Sequence, residues 1–253
     1  MALPAPTAEL PRRIFSPIAR RYDGPAQVLG LFQYRRWHRF LLSRIPTSNL
    51  QSPSSRQRIL DMATGTGALA FDLIRRPGVD VVGADITRAM LRQAQARAAA
   101  ARGGPASAGG ADRGPQFIEA TAEAPPFADA SFDAIVFAYL LRYVADVPAT
   151  LDGLARLLRP GGTMASLDFA VPRGIWYPLW RIYTAVGLPL GGALVSPAWR
   201  RVGSFLGPSI RDFYRRWPEE ALLQLWHDGG FPDSQAKRLS LGGGIVTWGT
   251  KQG

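Results

Sequence analysis

Apolar residues recur along this chain in two rhythms, as short unbroken runs and as longer stretches with helical spacing. Arg58-Ile59-Leu60-Asp61-Met62 is a buried run that leads into a glycine-rich turn, Ala63-Thr64-Gly65-Thr66-Gly67, with a helix predicted behind it over Ala68–Arg76. Val79–Ala84 is a second run, ended by Asp85, and Thr87–Ala101 reads as a helix with arginine on its outer side. Short strands are predicted at Gln116–Ala120 and Phe132–Ala138. Pro148–Leu158 sets Leu151, Leu154, Ala155 and Leu158 on one face behind a proline suited to a first helical turn. Pro160-Gly161-Gly162 then reverses the chain into a strand over Met164–Phe169. The last stretch gives a helix, Glu219–Asp228, and a hairpin of Ser234–Ser240 with Ile245–Thr250 around Gly242-Gly243-Gly244. Strands alternating with helices predict an α/β fold with a mainly parallel sheet, the final hairpin supplying an antiparallel edge.

Three segments stand outside that alternation. Residues 1–13 are proline-rich and expected to be loose; Ile14, Ile18 and Tyr22 share one face of a helix over Ile14–Tyr22. A second helix is predicted over Ala26–Arg44, ahead of a polar break at Pro46–Ser55. Gly103–Pro115 is a low-complexity loop, expected to be mobile. Pro172–Pro218 inserts a stretch rich in Trp, Tyr and Phe after the fifth strand, either packing on itself or capping a large apolar ligand. The organisation predicted is an N-terminal helical arm or lid, 1–55, and a core, 56–253, that carries a substrate-capping insertion, 172–218.

Composition narrows the chemistry. A chain of 253 residues with 47% hydrophobic and 19% charged content can bury a substantial core. Its longest apolar candidate, Ala185–Val195, is too short for a membrane span and is broken by Pro189, Gly191 and Gly192. No apolar region follows Arg12 and Arg13, so a cytoplasmic address is expected. Cysteine is absent, which removes thiolate nucleophiles and zinc–cysteine sites; with only His38 and His227, no metal is expected. The net charge of +11 is uneven. Met1–Leu50 carries eight arginines against Glu9 and Asp23, and Pro172–Pro218 carries seven against Asp212. Arg56–Ala170 balances twelve against twelve. Basic flanks around a neutral centre suit an anionic surface, or reflect an arginine-rich composition.

The chemistry-bearing signal is a strand, a Gly-x-Gly turn, a helix and an acid ending the next strand. Glycines let main chain approach a ligand, and Asp85 can accept hydrogen bonds from two ribose hydroxyls. Ala70 stands where a dinucleotide motif would place its third glycine, so this turn alone leaves NAD open. Downstream, Ala120-Thr121-Ala122-Glu123-Ala124-Pro125-Pro126-Phe127, Asp129 and Ser131-Phe132-Asp133 resemble the "D-A-E-x-L-P-F-x-D-x-S-F-D" run of class I S-adenosylmethionine (SAM) methyltransferases. Arg159-Pro160-Gly161-Gly162 resembles their "L-x-P-G-G" turn. A narrower resemblance covers most of the chain. Phe15, Ile18-Ala19-Arg20-Arg21-Tyr22-Asp23 and Trp37 look like the start of the ubiquinone/menaquinone-biosynthesis C-methyltransferases, the UbiE-type family. Arg156 to Ala170 is similar to that family's second signature, with Asp168 for Glu and Ala170 for Ser. Two departures fall near the acceptor: the family's "S-F-G-L-R-N" is Ala138-Tyr139-Leu140-Leu141-Arg142-Tyr143 here, and its "Y-D-x-M-N" is Tyr22-Asp23-Gly24-Pro25-Ala26.

The resemblance implies a Rossmann-like seven-stranded, mostly parallel sheet with an antiparallel last strand and helices on both faces. It implies SAM as cofactor, S-adenosylhomocysteine as product, and cofactor contacts from Asp61, Ala63, Gly65, Thr66, Gly67, Asp85, Ile86, Thr121, Ala122 and Ala138. The implied acceptor is a prenylated quinol, its contacts expected from Phe15, Tyr143, Trp180, Tyr183 and Phe213. A quinol carbon becomes nucleophilic as a phenolic hydroxyl, of pKa about 10, loses its proton. Arg142 is the candidate to stabilise that charge, with Tyr22, Asp23 and Tyr139 as proton acceptors or orienters; alternatively Arg142 is structural, paired with Asp146. Peripheral contact with an anionic membrane at its inner face and a homodimer fit this reading. Other small-molecule or lipid acceptors, a nucleic-acid methyltransferase and a non-catalytic SAM-fold protein are the alternatives. Nucleic acid is disfavoured: no cysteine nucleophile and no "[ND]-P-P-[YF]" run are present.

Overall fold

A computed structural model describes residues 9–46, 56–102 and 114–253 of the chain. The expected loose start (1–8), most of the polar break (47–55) and most of the low-complexity loop (103–113) lie outside the described residues. The core alternates as the apolar pattern dictates: β1 (Gln57–Met62), α4 (Ala68–Ile74), β2 (Val79–Asp85), α5 (Arg88–Arg102), β3 (Gln116–Glu119), β4 (Phe132–Ala138), α6 (Val147–Leu157) and β5 (Leu158–Phe169). α10 (Glu219–Asp228), β6 (Gln235–Leu239) and β7 (Gly244–Thr250) complete it. The strands form one seven-stranded sheet in the order β3-β2-β1-β4-β5-β7-β6, with β7 antiparallel to both its neighbours and the remaining pairings parallel. The order reverses between β1 and β4, so the carboxyl ends of those strands open a crevice for a ligand.

Apolar side chains cover both sheet faces. One cluster sets Leu60, Phe132, Ile135 and Phe137 against α6 and Trp226 of α10. The other packs Ile59, Val81, Val136 and Leu167 beneath Leu41, Leu69 and Leu73 of helices on the opposite side. Pro160-Gly161-Gly162 is a bulge inside β5 rather than a turn ahead of it: Leu158 pairs with Phe132, and pairing resumes only at Thr163 opposite Ala134. Gly161, at φ 75, supplies the left-handed step this loop requires.

The N-terminal arm differs from its sequence pattern. The helix expected over Ile14–Tyr22 is α1 (Glu9–Phe15) followed by a 3-10 turn (Ser16–Arg21), because Pro17 interrupts helical hydrogen bonding. The helix expected over Ala26–Arg44 is two: α2 (Asp23–Leu29) and α3 (Tyr34–Leu42). Between them Leu31 and Phe32 take left-handed conformations at φ 50 and 57. The insertion is helical throughout. α7 (Trp176–Ile182) runs through a π-helical turn (Tyr183–Gly187) into α8 (Leu188–Val195), and α9 (Pro197–Arg216) returns beside α8. Trp199 and Val202 of α9 share a small core with Ile18 and Ala26 of the arm. The insertion's aromatic residues are thus spent largely on packing against the arm and the sheet.

Candidate active site

β1 and β2 end side by side and deliver two buried carboxyl groups. Asp61 Oδ2 accepts hydrogen bonds from Thr64 Oγ1 (2.6 Å) and the Ala70 N–H (3.1 Å), while its Oδ1 is buried without a partner. Burial, only partly opposed by those bonds, pushes its pKa from 3.8 to about 7. Asp85 accepts from the Gly65 N–H (2.8 Å) and the Thr87 N–H (2.7 Å), and burial raises its pKa as well. The turn between holds Gly65 at φ 56 and Gly67 at φ 84. A Cβ on Gly67 would meet the Phe71 ring at 2.9 Å, whereas one on Gly65 would meet nothing within 4 Å, because that side opens into the crevice.

The crevice is a cavity of about 1420 Å³, larger than most small-molecule sites and able to hold two ligands together. Of the expected cofactor residues, Asp61, Ala63, Gly65, Thr66 and Asp85 line it, as do Ile86, Thr121, Ala122 and Ala138; Gly67 lies behind the turn. An orphaned carboxylate oxygen, a second acid and a bare left-handed turn fit an adenosyl amino acid: Asp61 suits its ammonium and Asp85 its ribose hydroxyls.

The other half of the cavity is walled by phenols. Tyr139 follows β4 at φ 59, its ring stacked on Phe169 at 4.5 Å and its hydroxyl buried without a partner. Tyr34 stands edge-on to it at 5.6 Å, Tyr22 stacks on Trp199 at 5.8 Å, and Phe15 meets Tyr143 edge-on at 5.6 Å. Burial raises the pKa of Tyr22, Tyr34, Tyr139 and Tyr143. These phenols therefore keep their protons at neutral pH and are available to donate hydrogen bonds. His38, also on the wall, is lowered by burial to about 4 and is neutral.

Arg142 lies outside the cavity wall. It is 3% exposed, its Nε donates to Asp168 Oδ1 at 2.9 Å, and its two terminal nitrogens have no partner. Its guanidinium carbon sits 5.0 Å from the ring centre of Tyr143, which does line the cavity. The pair with Asp146 does not form; Asp146 caps α6 by accepting from the Ala149 N–H at 2.9 Å. Asp23, by contrast, lines the cavity. It accepts from Thr66 Oγ1 (2.7 Å) and from Arg97 (3.0 Å), fastening the arm to the glycine turn.

Among the expected acceptor residues, Phe15 and Tyr143 line the cavity and three do not. Trp180 stacks on Tyr177 at 6.4 Å, the Tyr183 hydroxyl donates to the Leu29 carbonyl, and Phe213 is buried in the sheet core. No residue of 172–218 lines the cavity; residues of α1, α2 and α3 do, and α8 packs against α2 outside them. Tyr34, His38 and Arg97 carry site geometry that the sequence reading passed over. The available signal was Tyr34, His38 and Leu42 at i, i+4, i+8, a half-polar stripe beside the apolar face of α3.

The profile of the ubiE/COQ5 methyltransferase family matches residues 8–251. A ubiquinone/menaquinone biosynthesis C-methyltransferase UbiE from Desulfotalea psychrophila is 34% identical over 241 residues, covering 94% of this chain and 89% of that one. A demethylmenaquinone methyltransferase from Thermus thermophilus is 40% identical over 185 residues, 72% of this chain and 77% of that one. Among solved structures, a SAM-dependent methyltransferase from Thermotoga maritima, described as a possible histamine N-methyltransferase, superposes with a TM-score of 0.61 at 17% identity. That match covers 95% of this chain and 99% of the other, and it speaks to the fold alone.

Proposed function

The chain belongs to the ubiE/COQ5 methyltransferase family and is a SAM-dependent methyltransferase, and from that premise we propose that it methylates a ring carbon of a prenylated quinol such as demethylmenaquinol, or a related lipid-soluble aromatic. The observation that carries the reading is one continuous cavity in which the carboxylate-and-glycine end meets a pocket of phenols. Asp61, the Gly65 turn and Asp85 would hold SAM, which supplies an electrophilic methyl group.

The chain's own contribution is alignment, exclusion of water and stabilisation of charge on the acceptor oxygen. Protonated Tyr34 and Tyr139 would donate hydrogen bonds to the acceptor's phenolic oxygen as its proton passes to solvent, the ring-carbon proton following once the methyl group is attached, with Tyr22 orienting from the arm. The buried Arg142–Asp168 pair braces the Tyr143 ring on the cavity wall and so helps position the acceptor without touching it. Asp23 positions the arm over the site. A lipid-soluble acceptor puts the enzyme at work in the cytoplasm as a peripheral protein on the inner face of the membrane. Tyr143, where the family carries asparagine, favours a second reading in which the aromatic acceptor is not a quinol.

The test is incubation with methyl-labelled SAM and a panel of reduced prenylated quinones beside other lipid-soluble phenols. Label on a quinol ring carbon is expected. Label on a ring carbon of a non-quinol phenol alone selects the second reading; label on oxygen or nitrogen, or on no ring carbon in the panel, overturns the proposal.

A further inference from the structure

The helix that runs through α7, the π turn and α8 is apolar on its outer face as well as its inner one. Thr184, Leu188 and Gly192 face inward and are buried. Leu179, Ile182, Val186, Leu190 and Leu194 recur at helical spacing on the solvent side, with Leu194 90% exposed. Beside them lies the tip of α2: Leu29 would be 2.7 Å from a Cβ on Gly191, and its carbonyl accepts from Tyr183. That tip carries Val28, Leu31 and Phe32, all exposed. Leu241 extends the patch, because Ser240 donates to Gln33 at 2.7 Å and so holds its loop next to Phe32.

Three of these outward side chains, Leu31, Phe32 and Leu241, sit on left-handed backbone, a conformation disfavoured for bulky residues. The fold thus holds strained turns that point apolar groups into solvent. The charge around the patch is strongly basic: Asp23–Pro46 and Arg173–Arg216 contain eleven arginines against two acids, Asp23 and Asp212, and both acids are paired with arginine. Among the described residues Arg35, Arg36, Arg39, Arg181, Arg200 and Arg201 make no ion pair. No described helix is long and apolar enough to cross a membrane. Phe32, 68% exposed, also lines the cavity, so the patch borders the site's mouth.

We propose that this face, α7–α8 with the α2 tip and the Leu241 loop, docks on an anionic phospholipid bilayer and sets the Phe32 mouth against it as the port for a lipid-soluble acceptor. The apolar side chains enter the acyl boundary while the unpaired arginines of α3, α7 and α9 meet lipid phosphate. The choice of a bilayer over a second copy rests on charge: a two-fold contact would set these arginines against themselves. The port rests on the acceptor reading above; the docking does not.

Flotation with vesicles of phosphatidylglycerol and phosphatidylcholine, against phosphatidylcholine alone, tests it. Wild-type protein is expected to float with the anionic vesicles and to lose them in high salt. Leu190→Glu with Leu194→Glu, both outside the cavity, should weaken vesicle binding at least tenfold. The same pair should slow methylation of a vesicle-borne quinol similarly, yet leave transfer to a short-tailed soluble quinol and the Tm unchanged. Equal flotation of variant and wild type overturns the proposal. So does a wild-type dimer, seen by light scattering, that the variant converts to monomer while vesicle binding persists. Loss of vesicle binding with no transfer to any quinol sinks the acceptor and leaves the docking face standing.

Discussion

Arg142 keeps a charge that almost no water reaches. Burial works against that charge, but the adjacent Asp168 carboxylate outweighs it and holds the guanidinium pKa above its usual value. Removing one partner strands the other, which in buried pairs costs about 3–5 kcal/mol. Arg142→Met is therefore expected to lose about that much in urea denaturation, and Asp168→Asn in the same chain should restore part of it. Asp61 makes a different prediction. Its folded pKa of about 7 lies above the ordinary 3.8, so the neutral acid favours folding fully below about pH 4. That contribution is lost as the pH rises through 7. The Tm of the cofactor-free protein should fall over this window and be flatter in Asp61→Asn, whose amide oxygen can still accept from Thr64. Binding of an ammonium beside Asp61 should in turn release a proton, so affinity for S-adenosylhomocysteine, followed by calorimetry, should strengthen with pH through the same window.

At the scale of elements, the insertion depends on how closely α8 and α9 approach. A Cβ on Gly203 would stand 2.3 Å from the Leu188 carbonyl oxygen, and one on Gly192 2.4 Å from that of Trp199. Gly203→Ala is expected to pry the helices apart at a cost of about 1–3 kcal/mol. Gly153→Ala in α6, where nothing lies within 4 Å, should instead stabilise by about 0.5–1 kcal/mol. Chemical denaturation of the two variants reads both signs. The strands and the cofactor turn were legible because buried runs and left-handed glycines leave a local signature. The break between α2 and α3 was not: Leu31 and Phe32 look like good helix or core residues, and only tertiary packing holds them left-handed. The partner of Arg142 was equally hidden. Asp146 is near in sequence, but the pairing of β4 with β5 brings Asp168 near in space. Outward apolar positions on α7 and α8 resemble core positions in any pattern, since sequence alone does not say which face is covered.

Across the whole molecule, chemistry and contact are separated. The sheet holds the cofactor turn, the arm walls the cavity, and the insertion, rich in arginine, supports the arm from outside. The arm reaches the glycine turn through Asp23, with Thr66 on one carboxylate oxygen and Arg97 on the other. Such a clasp is expected to order turnover, with SAM seated at the turn before the arm settles over it and product leaving once the clasp is released. Kinetics should then be ordered, with S-adenosylhomocysteine competing against SAM alone. Asp23→Ala should turn that order random and raise both Michaelis constants together.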